Sequence, residues 1–187
     1  SRLCGSTAAN WSDPTSWSET SHTGDAASRV PGSGDVVYIG NGGSCDVDGE
    51  GNFHQILTNV DVSVGEINFS PVSMGVGLPK LIVPSDRLLH AGTFAGAGEL
   101  SLQVSAIASA QIMGDMGDFL AQPNSHIVYE IEAAGNAEIT PLSTSLPNVS
   151  IEAQNNTSGN RWLSFSNDLL IRGDLTIDKG ATLALHD

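Results

Sequence analysis

The chain has 187 residues, enough for one domain with a sizeable core, and its 21 acidic against 7 basic side chains give a formal net charge of -14. Such a surface repels phosphate backbones and anionic lipid, so nucleic acid is not an expected partner. No stretch approaches the roughly 18 apolar residues of a membrane span, so no membrane insertion is expected either.

The first 35 residues are polar and rich in turn formers, and they read as an N-terminal cap segment. They contain N-W-S-D-P-T-S-W, in which Trp11 and Trp17 flank an Asp-Pro turn. Two indoles six positions apart can cover the open end of a coil of strands, which otherwise leaves apolar side chains and strand edges in water. The functional alternative for the same pair is glycan stacking. Cys4 and Cys45 lie on either side of the first convincing strand, Val36 to Ile39. A single pair in a secreted chain is most simply a disulfide, which here would pin the cap to the first turns.

From residue 36 onward, short apolar-alternating runs follow one another. Ser44 to Val47 makes a further short strand. Val60, Val62 and Val64 alternate, whereas Ile67 and Phe69 have the opposite parity, so Gly65-Glu66 marks a bulge or corner that resets the facing. Leu81 to Val83, Leu88-Leu89 and Leu100 to Val104 continue the pattern, and the small-residue stretch 92–98 suits a corner or a close approach of backbones. Residues 106–120 fit helix or strand; Gly114 and Gly117 interrupt a helix, and a strand is expected for Ala110 to Met113. His126 to Ile131 is a strong strand, and after a loop through Pro147 the stretch Leu146 to Ile151 enters the next one. The run W-L-S-F, D-L-L-I, D-L-T-I, T-L-A-L from Trp162 to Leu185 then places Leu163/Phe165, Leu169/Ile171, Leu175/Ile177 and Leu183/Leu185 two apart. Its gaps are too short for crossover helices, and most lack the dipeptides of two-residue hairpins. Strands with one buried face, joined by tight corners, coil around their own core and pair in parallel with the turns above and below. The expected fold is therefore an all-β solenoid over 36–187 with a Trp-containing cap, and turns of roughly 20–25 residues. The C-terminal strands become the most regular just where the sequence stops. A bare edge above Leu183 and Leu185 predicts that further turns, another domain or another chain covers this end.

Chemistry is sparser than architecture. Asp46, Asp48 and Glu50, with a Gly at position six, match the first half of a calcium loop. Position twelve is Leu57 instead of a carboxylate, so calcium would need distant ligands, and a polar turn is the plainer reading. Asp115 and Asp118 form a candidate acidic pair of the kind polysaccharide-cleaving enzymes use. The five histidines are scattered without zinc spacing, and neither a nucleophile elbow nor a phosphate loop occurs. The sequence thus nominates no catalytic residue and no cofactor other than calcium.

Two segments resemble known families. The entry N-W-S-D-P-T-S-W, followed by V-P-G-S-G-D-V-V-Y-I and C-D-V-D-G, resembles the opening of secreted bacterial surface proteins and, more weakly, the G8 domain. The stretch L-P-N-V-S-I and, further on, L-L-I-R-G-D-L-T-I-D-K-G-A-T-L-A-L resembles the β-helical repeats of large proteins exported by the type IX pathway, including adhesins of gliding bacteria. The resemblance implies a right-handed parallel β-helix, an extracellular or cell-surface location and a non-enzymatic scaffold or adhesive role. The implied partners are other domains of the same polypeptide, surface-anchoring proteins or glycans. The competing expectation is a carbohydrate-active β-helix, either a polysaccharide lyase or hydrolase or a glycan binder.

Overall fold

A computed structural model describes residues 7–20, 24–40, 54–70, 78–105, 111–132, 135–154, 161–178 and 180–184. Among these residues every strand pairing is parallel. One sheet runs the length of the molecule: β1 (Ala9–Asn10), β3 (Gln55–Leu57), β5 (Lys80–Val83), β7 (Glu99–Val104), β9 (His126–Ile131), β12 (Asn148–Ala153) and β15 (Leu175–Ile177). A second sheet holds β2 (Val36–Ile39), β4 (Val62–Phe69), β6 (Leu88–Gly96) and β8 (Gln111–Asp115). A third holds β10 (Gly135–Ile139), β13 (Arg161–Phe165) and β16 (Ala181–Ala184), and β11 (Ser145–Leu146) pairs with β14 (Leu170–Ile171). The chain passes from sheet to sheet and returns one layer on, which makes a right-handed parallel β-helix.

Alternation of side chains builds the core. Ile56, Leu81, Leu100, Ile127 and Val149 stack in register on the long sheet, all fully buried. Val37, Ile67 and Phe94 stack in the same way on the second sheet. In the C-terminal coil, Leu163 lies against Leu183 within the third sheet, while β14 and β15 between them belong to the two-stranded pair and to the long sheet. The four regular C-terminal runs are therefore successive sides of one coil and the start of the next.

The coil changes cross-section along its length. In the early turns β4 and β6 bend without breaking, and the bend sits at Gly65 and Gly92. A Cβ on Gly92 would lie 2.6 Å from the Gly65 carbonyl oxygen, so only glycine permits this approach. Across Gly65 the buried set switches from Val62 and Val64 to Ile67 and Phe69, the parity reset the sequence predicts. In the later turns the bend becomes a full corner, and one strand is replaced by two, β10 with β11 and then β13 with β14. At the changeover lies α1 (Gly117–Ala121), which the glycines at 114 and 117 argued against. The strand expected just before it is present as β8. Phe119 of α1 is buried against Phe69, ring centroids 5.1 Å apart, and Asp118 Oδ2 accepts from the Gly96 amide at 2.9 Å. Tertiary burial of Phe119 and Leu120 overrides the weak local propensity.

The N-terminal segment is more than loop, because β1 is the first strand of the long sheet. Asp13 Oδ1 accepts from the Thr15 amide at 2.9 Å and from the Thr15 hydroxyl at 2.8 Å, and holds a 3-10 turn over Pro14–Ser16. These bonds, the backbone one first, keep the Asp13 carboxyl below its ordinary value. In the V-P-G-S-G-D turn, Arg29 grips Asp35 with two nitrogens at 2.5 and 2.9 Å, and the Gly32 amide donates to the same carboxylate at 2.7 Å. The guanidinium bonds, followed by the Gly32 amide, hold Asp35 far below the usual carboxylate range. At the far end, Leu175 and Ile177 face inward in register with the buried Val149 and Ile151, yet each is 44% exposed. Among the described residues β15 and β16 are each the last strand of their sheet, so no further layer lies over them. Among the described residues no helix is long and apolar enough to cross a membrane.

Candidate functional site

The outer face of the long sheet carries the densest set of ionisable groups. Parallel register places Lys80, Glu99, His126 and Asn148 in one row across β5, β7, β9 and β12. Two positions along each strand lie Ile82, Ser101, Val128 and Ser150, of which the last three are buried. Two further along lie Gln103, Glu130 and Glu152. Each of these alternates with a core residue, so the period that buries Leu81 and Leu100 also projects this strip outward.

The strip closes on itself. Lys80 Nζ lies 2.9 Å from Glu99 Oε1 and 3.2 Å from Glu130 Oε1. Glu130 also accepts from the Ser101 hydroxyl at 2.5 Å and from Gln103 Nε2 at 3.4 Å. Burial pulls the Lys80 ammonium toward neutrality, but Glu99 and then Glu130 outweigh it and raise its proton affinity. His126 Nε2 and Ser150 Oγ form a further bond at 2.8 Å. Asn148 clamps three turns: its amide donates to the Pro123 and Ser125 carbonyls, and its Oδ1 accepts from the Asp174 amide at 3.0 Å.

Glu152 is the exception. It sits beside Glu130 in register, and burial is the first cause that lifts its carboxyl above the ordinary value. Lys80 opposes that shift, while Asp178, Glu130 and Glu99 add to it. The folded state therefore takes up the Glu152 proton at higher pH than the unfolded chain. The stability this proton confers is present at low pH and is lost as pH rises through the folded value. Glu152→Gln, which mimics the neutral form, is expected to be more stable than the parent at pH 7, by less than about 1 kcal/mol because the group is half-exposed. The gain should vanish below the ordinary glutamate value of 4.5. Urea unfolding at pH 7 and pH 4 checks this, and a variant no more stable than the parent at pH 7 rejects it.

The residues singled out in the sequence have other fates. Trp11 and Trp17 are 1% and 4% exposed, with ring centroids 4.7 Å apart in an edge-on arrangement. The Trp17 Nε1–H donates to the Trp11 carbonyl at 2.9 Å. Both indoles are part of the core, and neither presents an open face on which a sugar could stack. Asp115 and Asp118 accept from backbone amides, of Gly117 and Gly96 respectively. Cys4, Cys45, the calcium candidates Asp46, Asp48 and Glu50, and the strand expected at 44–47 all lie outside the described residues. Among the described residues no three His, Cys, Asp or Glu side chains converge as metal ligands. The Lys80 strip escaped the sequence reading because its members are 50 positions apart in the case of Lys80 and Glu130. The outward residues of each strand, Lys80/Ile82, Glu99/Ser101/Gln103 and His126/Val128/Glu130, carry the signal only once the strands are aligned.

No family model, curated protein or solved structure matches the chain.

Proposed function

We propose that this chain is a non-enzymatic β-solenoid module of an extracellular or cell-surface protein, serving as scaffold and adhesive surface. The observation that supports this reading is the closure of the Lys80 strip. The groups with the best-defined geometry engage one another, Lys80 between Glu99 and Glu130 and Ser101 on Glu130. Such a network stiffens adjacent turns. Its partners in this reading are neighbouring domains of the same polypeptide, surface-anchoring proteins and glycans.

Glu152 favours a second reading, a carbohydrate-active β-helix. A carboxyl with raised proton affinity, one strand from another carboxylate, has the properties of a general acid. One assay separates the two. The protein is incubated with a panel of neutral and acidic polysaccharides, and released reducing ends and unsaturated sugars are measured. The scaffold reading expects no release above that of Glu152→Gln. Reproducible release that this substitution abolishes would replace it with the enzymatic one. Protease shaving of intact source cells tests the location, and full protection of the protein would set the extracellular assignment aside.

A further inference from the structure

The third sheet differs from the long one in what its outer face leaves open. Trp162 on β13 points outward and is 40% exposed, while its neighbour Leu163 is fully buried. Register places Asn136 of β10 on one side of it and Thr182 of β16 on the other. With strands about 4.8 Å apart, the three side chains form a row about 10 Å long. Two residues along, on the same face, lie the exposed Glu138 and, beside it, the buried Ser164. Among the described residues, Asn136, Glu138 and Thr182 make no side-chain hydrogen bond. The face is thus a flat floor of small polar groups with one large aromatic ring at its centre and unused donors and acceptors around it.

We infer that this face binds a neutral polysaccharide, with a pyranose ring stacked on Trp162. An indole lying half-open on a sheet offers an apolar platform to the C–H face of a sugar, and its polar rim stays wet. The Asn136 amide and the Thr182 hydroxyl each combine donor and acceptor, the pairing that sugar hydroxyls require, and the Glu138 carboxylate accepts from a further hydroxyl. The row of three is long enough for a disaccharide. Charge selects against polyanions, since Glu138 lies on the face itself and the chain carries a net charge of -14. The Lys80 strip is a poorer candidate, because its central side chains are buried and its donors are already engaged. The inference deepens the adhesive side of the proposed function and rests on that reading for where such a polymer would be met.

Tryptophan fluorescence isolates this site. Of the three tryptophans, Trp11 and Trp17 are buried, so changes at the red edge of the emission report Trp162. The protein is titrated with cellohexaose, xylohexaose, mannohexaose and laminarihexaose, and with polygalacturonate as the anionic arm. A saturable blue shift with at least one neutral oligomer is expected, with none for polygalacturonate. Trp162→Ala should abolish binding measured by calorimetry. Asn136→Ala with Thr182→Ala should weaken it by about tenfold while leaving the fluorophore in place. An unchanged circular dichroism spectrum of each variant separates lost binding from lost fold. No spectral response to any neutral oligomer at millimolar concentration overturns the inference, as does binding that survives Trp162→Ala. Either failure leaves the scaffold reading standing, because that reading is decided by polymer cleavage and by shaving of intact cells.

Discussion

Gly96→Ala is expected to destabilise the protein by about 3–5 kcal/mol, one of the largest effects of any single methyl group added to this chain. Gly96 ends β6 with φ at +75°, in the left-handed region, and a Cβ built there would lie 1.9 Å from the Phe69 carbonyl oxygen one turn away. The added methyl therefore meets both an unfavourable dihedral and a backbone atom that cannot rotate aside. Phe69 cannot retreat either, since its ring is buried against Phe119 and packs over Gly98. Two other glycines separate these causes. Gly34 has φ at +93° with nothing within 4 Å of a built Cβ, so Gly34→Ala should show the dihedral cost alone, about 1–2 kcal/mol. Gly32 has open space and no such dihedral, so Gly32→Ala should fall within about 0.5 kcal/mol of the parent. Urea unfolding of the three variants with a common m-value gives the ranking. Equal losses at Gly34 and Gly96 would show that the approach of β6 to Phe69 is not tight.

Trp11→Ala should cost about 3–5 kcal/mol and confine much of the damage to one end. Trp11 is fully buried, stacks edge-on with Trp17, and its carbonyl accepts the Trp17 indole N–H. Its amide donates to the Leu57 carbonyl at 2.8 Å, and the adjacent Ser12 exchanges two hydrogen bonds with Asn59. Removing the indole opens a cavity over the first coil. In a coil whose turns contact mainly their neighbours, protection is then lost from that end inward. Hydrogen exchange should accelerate in β1, β2 and β3 well before β9 and β12. Trp17→Phe keeps most of the buried ring but leaves the Trp11 carbonyl without its indole donor, so a loss of about 1 kcal/mol is expected. Uniform acceleration of exchange along the whole solenoid would argue that it unfolds as one unit and that the cap has no local role.

Alternation of apolar residues was enough to recognise strands at 36–39, 81–83, 100–104 and 126–131, and the short gaps within the run from Trp162 to Leu185 required a coil with parallel pairing. The parity break at Gly65 was legible for the same reason, since period-two patterning records the facing of each residue from local order alone. The α1 helix was not, because Gly117 and the short span Gly117–Ala121 carry little helical preference of their own. What decides it is a distant partner: Phe119 is needed against Phe69 where the second sheet ends. The half-exposure of Leu175 and Ile177 likewise depends on which strand lies beyond them, a fact their own pattern does not contain.

The same division holds for the surface. Local order decides that Lys80, Glu130, Trp162 and Asn136 point away from the core. It does not decide that Lys80 reaches Glu130 across β7, or that Trp162 is flanked by Asn136 and Thr182. Those neighbours follow from register, and register follows from the length of each corner and from glycines such as Gly92 and Gly96 that let one turn approach the next. Corner lengths vary from turn to turn, so no fixed period along the chain aligns the outward residues. The strand pattern and the acidic surface are therefore properties of the sequence alone. The closed strip on one face and the open aromatic floor on another arise only when the turns stack.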